Sequence, residues 1–122
     1  MPKKQTFLDQ PTEEKIRHLR IVITDASSDG EYLTVPIDTL KYPYQDKSCI
    51  LHVGDHSFIK HESFVNYRFA QVISYPQLFN GLRKGVFVKK EDISDEVLKR
   101  IQDGARQTKN MRTELKDWFE LF

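Results

Sequence analysis

The sequence predicts a mainly β (α+β) domain, a small antiparallel barrel or curled sheet with a C-terminal helix packed on it. Three observations lead there. Short runs rich in β-branched and aromatic residues recur along the first 90 or so positions, broken by turn signals such as Asp29-Gly30 and Gly54-Asp55. After them the hydrophobic period changes, and Val97, Leu98, Ile101 and Ala105 form a helical stripe behind the N-cap Ser94. At 122 residues with 39% hydrophobic and 30% charged content, the chain suits one soluble globular domain over 1–122.

In chain order, Met1–Gln10 reads as a loose N-terminus in which Phe7 and Leu8 dock, and Pro11–Ile16 as a short helical turn. His18–Thr24 is a strand, Asp25–Glu31 a turn, and Tyr32–Ile37 the returning strand, with Pro36 marking an edge or strand end because it cannot donate to a ladder. Thr39–Ser48 is a polar, aromatic loop, Cys49–Val53 a third strand, and Phe64–Ser74 an alternating fourth. Pro76–Leu82 reads as a helical turn and Gly85–Lys89 as a short last strand. Residues 94–122 are helical, with Gly104 weakening the join between two stripes, so one bent helix or two are expected. The Trp118–Phe122 end is heavily apolar and either docks on its own chain or serves as a partner surface.

A net charge of +1 excludes nucleic-acid binding by bulk charge, so any RNA contact must come from a local patch. The single cysteine, Cys49, lies in an apolar run and reads as a buried thiol in a reducing compartment. No apolar run approaches ~18 residues and MPKKQTFLDQ has no signal-peptide core, so a cytoplasmic protein without membrane spans is expected. Phosphate-loop, Cys-x-x-Cys, His-Glu-x-x-His and nucleophile-elbow motifs are all missing.

Cys49–Arg68 concentrates the chemistry, with His52, His56 and His61, a lysine between the last two, and a central turn. Acid–base chemistry without a metal requires a proton acceptor, a proton donor and a cation where negative charge lies. Histidine, with an unperturbed pKa of about 6.5, suits the first two roles, and lysine or arginine the third. His18, His56 and His61 are therefore candidate acid–base groups, Lys60 the phosphate cation, and Thr39 or Ser63 added donors. His52 alternates with apolar residues and is assigned to the scaffold. Tyr42, Tyr44, Tyr67 and Arg68 either contact RNA bases and phosphates or pack the barrel. His52, Asp55, His56 and His61 include metal-ligand types, but Gly54-Asp55 breaks the helix that would align them, so neither metal nor cofactor is assigned.

Three pieces in order resemble the PemK/MazF family of toxins: RHLRIVIT at Arg17–Thr24, LTVPIDT at Leu33–Thr39, and KGVFV at Lys84–Val88 leading into DISDEV at Asp92–Val97. The resemblance covers roughly Arg17–Asp103 and implies an SH3-like barrel, a homodimer, metal-independent cleavage of single-stranded RNA and a cognate antitoxin. The family's threonine carries over to Thr39. Its arginine is replaced by His18, flanked by Arg17 and Arg20, and Gly54–Tyr67 has no counterpart in the best-known members, so the chain reads as a divergent subgroup. The expected site is then His18, Thr39, His56, Lys60 and His61 for catalysis, with Arg17, Arg20, Ser63, Tyr67 and Arg68 on RNA. The alternative is a non-catalytic RNA- or protein-binding module on the same scaffold.

Overall fold

A computed structural model describes Lys3–Leu121. The chain is mixed α+β. Its seven strands are β1 (Thr6–Leu8), β2 (Leu19–Val22), β3 (Glu31–Thr39), β4 (Ile50–Leu51), β5 (Ser63–Val65), β6 (Gln71–Ser74) and β7 (Val88–Lys90). Helices α1 (Tyr75–Arg83), α2 (Asp95–Gln107) and α3 (Thr113–Phe119) complete it. The strands make one antiparallel sheet in the order β4-β5-β3-β2-β1-β7, with β6 also on β3. Among the described residues β4 and β7 do not pair, so the sheet is curled and open rather than closed into a barrel.

Residue alternation sorts the sheet into two faces. Leu19, Ile21 and Ile23 beside Leu33, Val35 and Ile37 point to the main core, where Val97, Leu98 and Ile101 of α2 and Leu115 and Phe119 of α3 cover them. Their neighbours point the other way. At one end of that second face Phe7, Val22 and Tyr32 pack under Leu78 of α1. At the other end stand Arg20, Thr34, Pro36 and Asp38, and a cleft opens beside Arg20, Pro36 and Asp38.

β3 runs through Pro36 to Thr39, so Pro36 lies mid-strand in the sheet's centre and is not the strand end expected from its missing donor. The cost falls on the neighbouring strand. Between the pairs Ile37↔Val65 and Thr34↔Gln71, β3 passes two residues while its partner passes five. The surplus forms a 3-10 turn, Tyr67–Phe69, opposite the proline that has no N–H to offer. The continuous strand expected over Phe64–Ser74 is therefore two strands, and the alternation breaks. Tyr67 is fully buried, donating through its hydroxyl to the Ile101 carbonyl at 2.6 Å, and Phe69 is exposed.

The N-terminus also departs from expectation. Thr6–Leu8 pairs with both β2 and β7, and Phe7 is buried, so this stretch is integral to the sheet. Pro11–Ile16 makes turns only. Pro76–Leu82 is part of a longer helix, capped by Ser74 and Gln77 in a reciprocal capping box. Gly104 does not divide the C-terminal helices. It sits within α2, where a Cβ would come within 2.4 Å of the Tyr67 hydroxyl and 2.9 Å of Cys49 Cβ. The break comes at Thr108, whose hydroxyl donates to Asp46 Oδ2 at 2.6 Å. Trp118 packs against the main core and Phe119 is buried in it, so this part of the apolar tail docks within the chain; Phe122 lies outside the described residues. No helix among the described residues is long and apolar enough to cross a membrane.

Candidate functional site

That end of the second face holds a cleft lined by Asp9, Thr12, His18, Arg20, Pro36, Asp38, Phe69 and Gln71. Its floor is a buried guanidinium. Arg20 Nε donates to Asp9 Oδ2 at 2.9 Å, Nη1 to Thr34 Oγ1 at 3.0 Å and Nη2 to the Phe69 carbonyl at 2.9 Å. One side chain thus ties the segment after β1, the centre of β3 and the 3-10 turn together. Burial lowers the Arg20 pKa from its ordinary value, partly countered by the hydrogen bond and charge of Asp9. Three of the five guanidinium donors are used in this way.

At the cleft mouth the half-buried His18 ring points Nδ1 at Asp38 Oδ1, 2.9 Å away. The other carboxylate oxygen accepts from Asn66 Nδ2 at 2.7 Å, which fixes the carboxylate from the far side. A carboxylate on one imidazole nitrogen sets ring orientation and stabilises the protonated ring, leaving Nε2 for a proton transfer. Asp38 also borders a second recess, lined by Ile37, Thr39, Phe58, Ile59, Lys60, His61 and Ser63. Buried Ile59 anchors that loop, and no described residue pairs with the exposed Lys60 ammonium or His61 ring. Five of the residues singled out from sequence (His18, Thr39, Lys60, His61 and Ser63) therefore border two recesses that share Asp38 in their linings.

The others are placed differently. His56 is buried, and both its nitrogens are occupied. Nε2 lies 2.9 Å from the Glu91 carbonyl, which can only accept, and Nδ1 lies 3.0 Å from the Phe58 backbone N–H, which can only donate. Those partners define the tautomer with its proton on Nε2, which also sits 3.1 Å from Thr6 Oγ1. The ring, for which an acid–base role was expected, is a tie between the mid-chain loop, β1 and the segment before α2, and it lines neither recess. Tyr67, a residue with two expected roles, is packed in the core, and burial raises its hydroxyl pKa far above the ordinary value. Arg17 donates to the Val86 carbonyl at 3.3 Å, near the α1 end of the sheet. Arg68 borders a further recess with Tyr44, Asn66 and Phe69.

His52 pairs with Glu62 at 3.0 Å on the surface, and Asp55 pairs with Arg100 at 3.1 Å. No group of three or more His, Cys, Asp or Glu side chains among the described residues is arranged to hold a metal ion. Burial pushes the Cys49 thiol up to about 11.

Asp9, Asp38, Asn66 and Phe69 are the site residues that sequence reasoning missed. Only Asp38 carried a usable signal: it follows Thr34 and Pro36 at even spacing, which places it on Arg20's face once Arg20 is known to pair with Pro36. The chain matches no family model, no curated protein and no solved structure.

Proposed function

We propose that this chain is a PemK/MazF-like endoribonuclease, the toxin of a toxin–antitoxin pair, that cleaves single-stranded RNA by metal-independent acid–base chemistry. The observation that carries this reading is the carboxylate-held His18 ring at a cleft mouth, with unpaired His61 and Lys60 across Asp38. In this reading His18 Nε2 takes the 2′-OH proton while Asp38 stabilises the imidazolium. The 2′-oxygen bonds to phosphorus, the P–O5′ bond breaks, and His61 gives its proton to the departing 5′-oxygen. Lys60 pairs with the phosphoryl oxygens and the exposed Thr39 hydroxyl adds a donor. The same reading takes the curled sheet as an opened variant of an SH3-like barrel and the protein as a cytoplasmic homodimer restrained by an antitoxin.

Labelled single-stranded RNA incubated with the protein in EDTA should be cut, with a rate that varies between about pH 5 and 8 as imidazoles titrate. His18→Ala and His61→Ala should each slow cleavage about 10²- to 10⁴-fold. No cleavage at any of those pH values removes the enzyme.

One observation favours a second reading, a non-catalytic RNA- or protein-binding module. Arg20, the cation on the cleft floor, is committed to three acceptors inside the chain. RNA binding without cleavage by the wild-type protein would decide for that module.

A further inference from the structure

We infer that the 3-10 turn Tyr67–Phe69 is a nucleobase-stacking platform, on which Phe69 receives a base of single-stranded RNA next to the His18 cleft. The inference rests on the RNA-binding part of the reading above but not on its catalytic part. Phe69 is 57% exposed, although Tyr67, which starts the same turn, and Ala70, which follows it, are buried. An isolated surface aromatic is ordinary. Phe69 differs in position and rigidity.

It forms the ridge between two recesses, bordering the His18–Arg20–Asp38 cleft on one side and the recess of Tyr44, Asn66, Arg68 and Asn110 on the other. Its backbone is held from below: the Phe69 carbonyl accepts from Arg20 Nη2 at 2.9 Å, and its N–H donates to the Asn66 carbonyl at 3.1 Å. The ring is thus presented by a fixed turn, so little conformational entropy is lost when a base lies on it. Exposed Arg68 supplies a cation beside it, with no described residue paired to its guanidinium. The carboxylate in that recess, Asp46, is occupied by Ser48 and Thr108 donors. Beyond it, the exposed rings of Tyr42 and Tyr44 stack with centroids 5.4 Å apart and planes 6° from parallel, continuing the aromatic path. Aromatic faces beside cations hold single-stranded RNA because every base has a π-face and every linkage a charge.

The strand that crosses the ridge would place one base on Phe69 and the adjoining phosphate toward His18. Phe69 is then a positioning residue, setting which linkage reaches the proton-transfer groups.

The test is fluorescence anisotropy with two labelled probes of equal length, a single-stranded 2′-O-methyl oligoribonucleotide and its abasic 2′-O-methyl counterpart, neither of which carries the 2′-hydroxyl that cleavage needs. Phe69→Ala should weaken binding of the base-bearing probe about 5- to 100-fold and leave the abasic probe unchanged, with Phe69→Trp restoring affinity. Circular dichroism checks that each variant is folded. Equal weakening of both probes, no change in either, or no binding by the wild-type protein overturns the platform. Loss of base discrimination in Phe69→Ala, from a wild-type protein that binds but never cleaves, removes the nuclease and leaves the platform standing.

Discussion

His18 and His56 are the same side chain under opposite regimes. His56 is buried, with a backbone carbonyl on one nitrogen and a backbone N–H on the other. His18 is half-buried, with a carboxylate on one nitrogen. The carbonyl and the N–H leave His56 no atom to offer a substrate, so its contribution is to stability. The carboxylate orients His18 and keeps the other nitrogen available, which suits it to the proton transfer proposed above. What separates a histidine with both nitrogens held from one with a free nitrogen here is the partner set and the covering, neither of which residue type or local spacing specifies.

Breaking the comparison at its deepest point gives the largest effect on stability. Arg20→Met removes the cleft-floor cation and three charge-assisted hydrogen bonds, to Asp9, Thr34 and the Phe69 carbonyl, so the fold should lose about 3 to 5 kcal/mol in denaturant titration. His56→Ala tests the buried ring directly. It leaves the Phe58 N–H without an acceptor and should cost about 2 to 3 kcal/mol, while cleavage per folded molecule stays unchanged. A drop in cleavage matching that of His18→Ala would return His56 to the active groups. The smallest effect concerns acid. Burial opposes the Asp46 charge, but the Ser48 and Thr108 donors outweigh it and hold its pKa below the ordinary range. Its contribution is therefore complete above the unfolded value of about 3.9 and is lost as pH falls through the lower folded value. Asp46→Asn should flatten that acid limb of the stability curve in denaturant titrations across the acid range.

Much of the secondary structure was legible. His18–Thr24 contains β2, Tyr32–Ile37 lies within its longer partner β3, and Ser94 caps α2 with its hydroxyl on the Val97 N–H at 3.1 Å. These signals are local: β-branched runs, a turn dipeptide, a cap ahead of an apolar stripe. Thr6–Leu8 was missed because three residues carry no period, and its strand character comes from being paired on both edges. Phe64–Ser74 was misread because its alternation looks continuous, and only Pro36, thirty or so positions away in sequence, shows why it breaks.

By itself the sequence determined which residue types were available for proton transfer and phosphate contact, and the antiparallel order of the central strands. Tertiary structure decided which of them keep a free atom. Register brings Asp38 to His18 and Asn66 and puts Arg20 beneath Phe69, while packing turns His56 and Tyr67 inward. The physical reason is that hydrogen-bond partners and solvent exposure are set by contacts distant along the chain, which periodicity over a few residues does not encode.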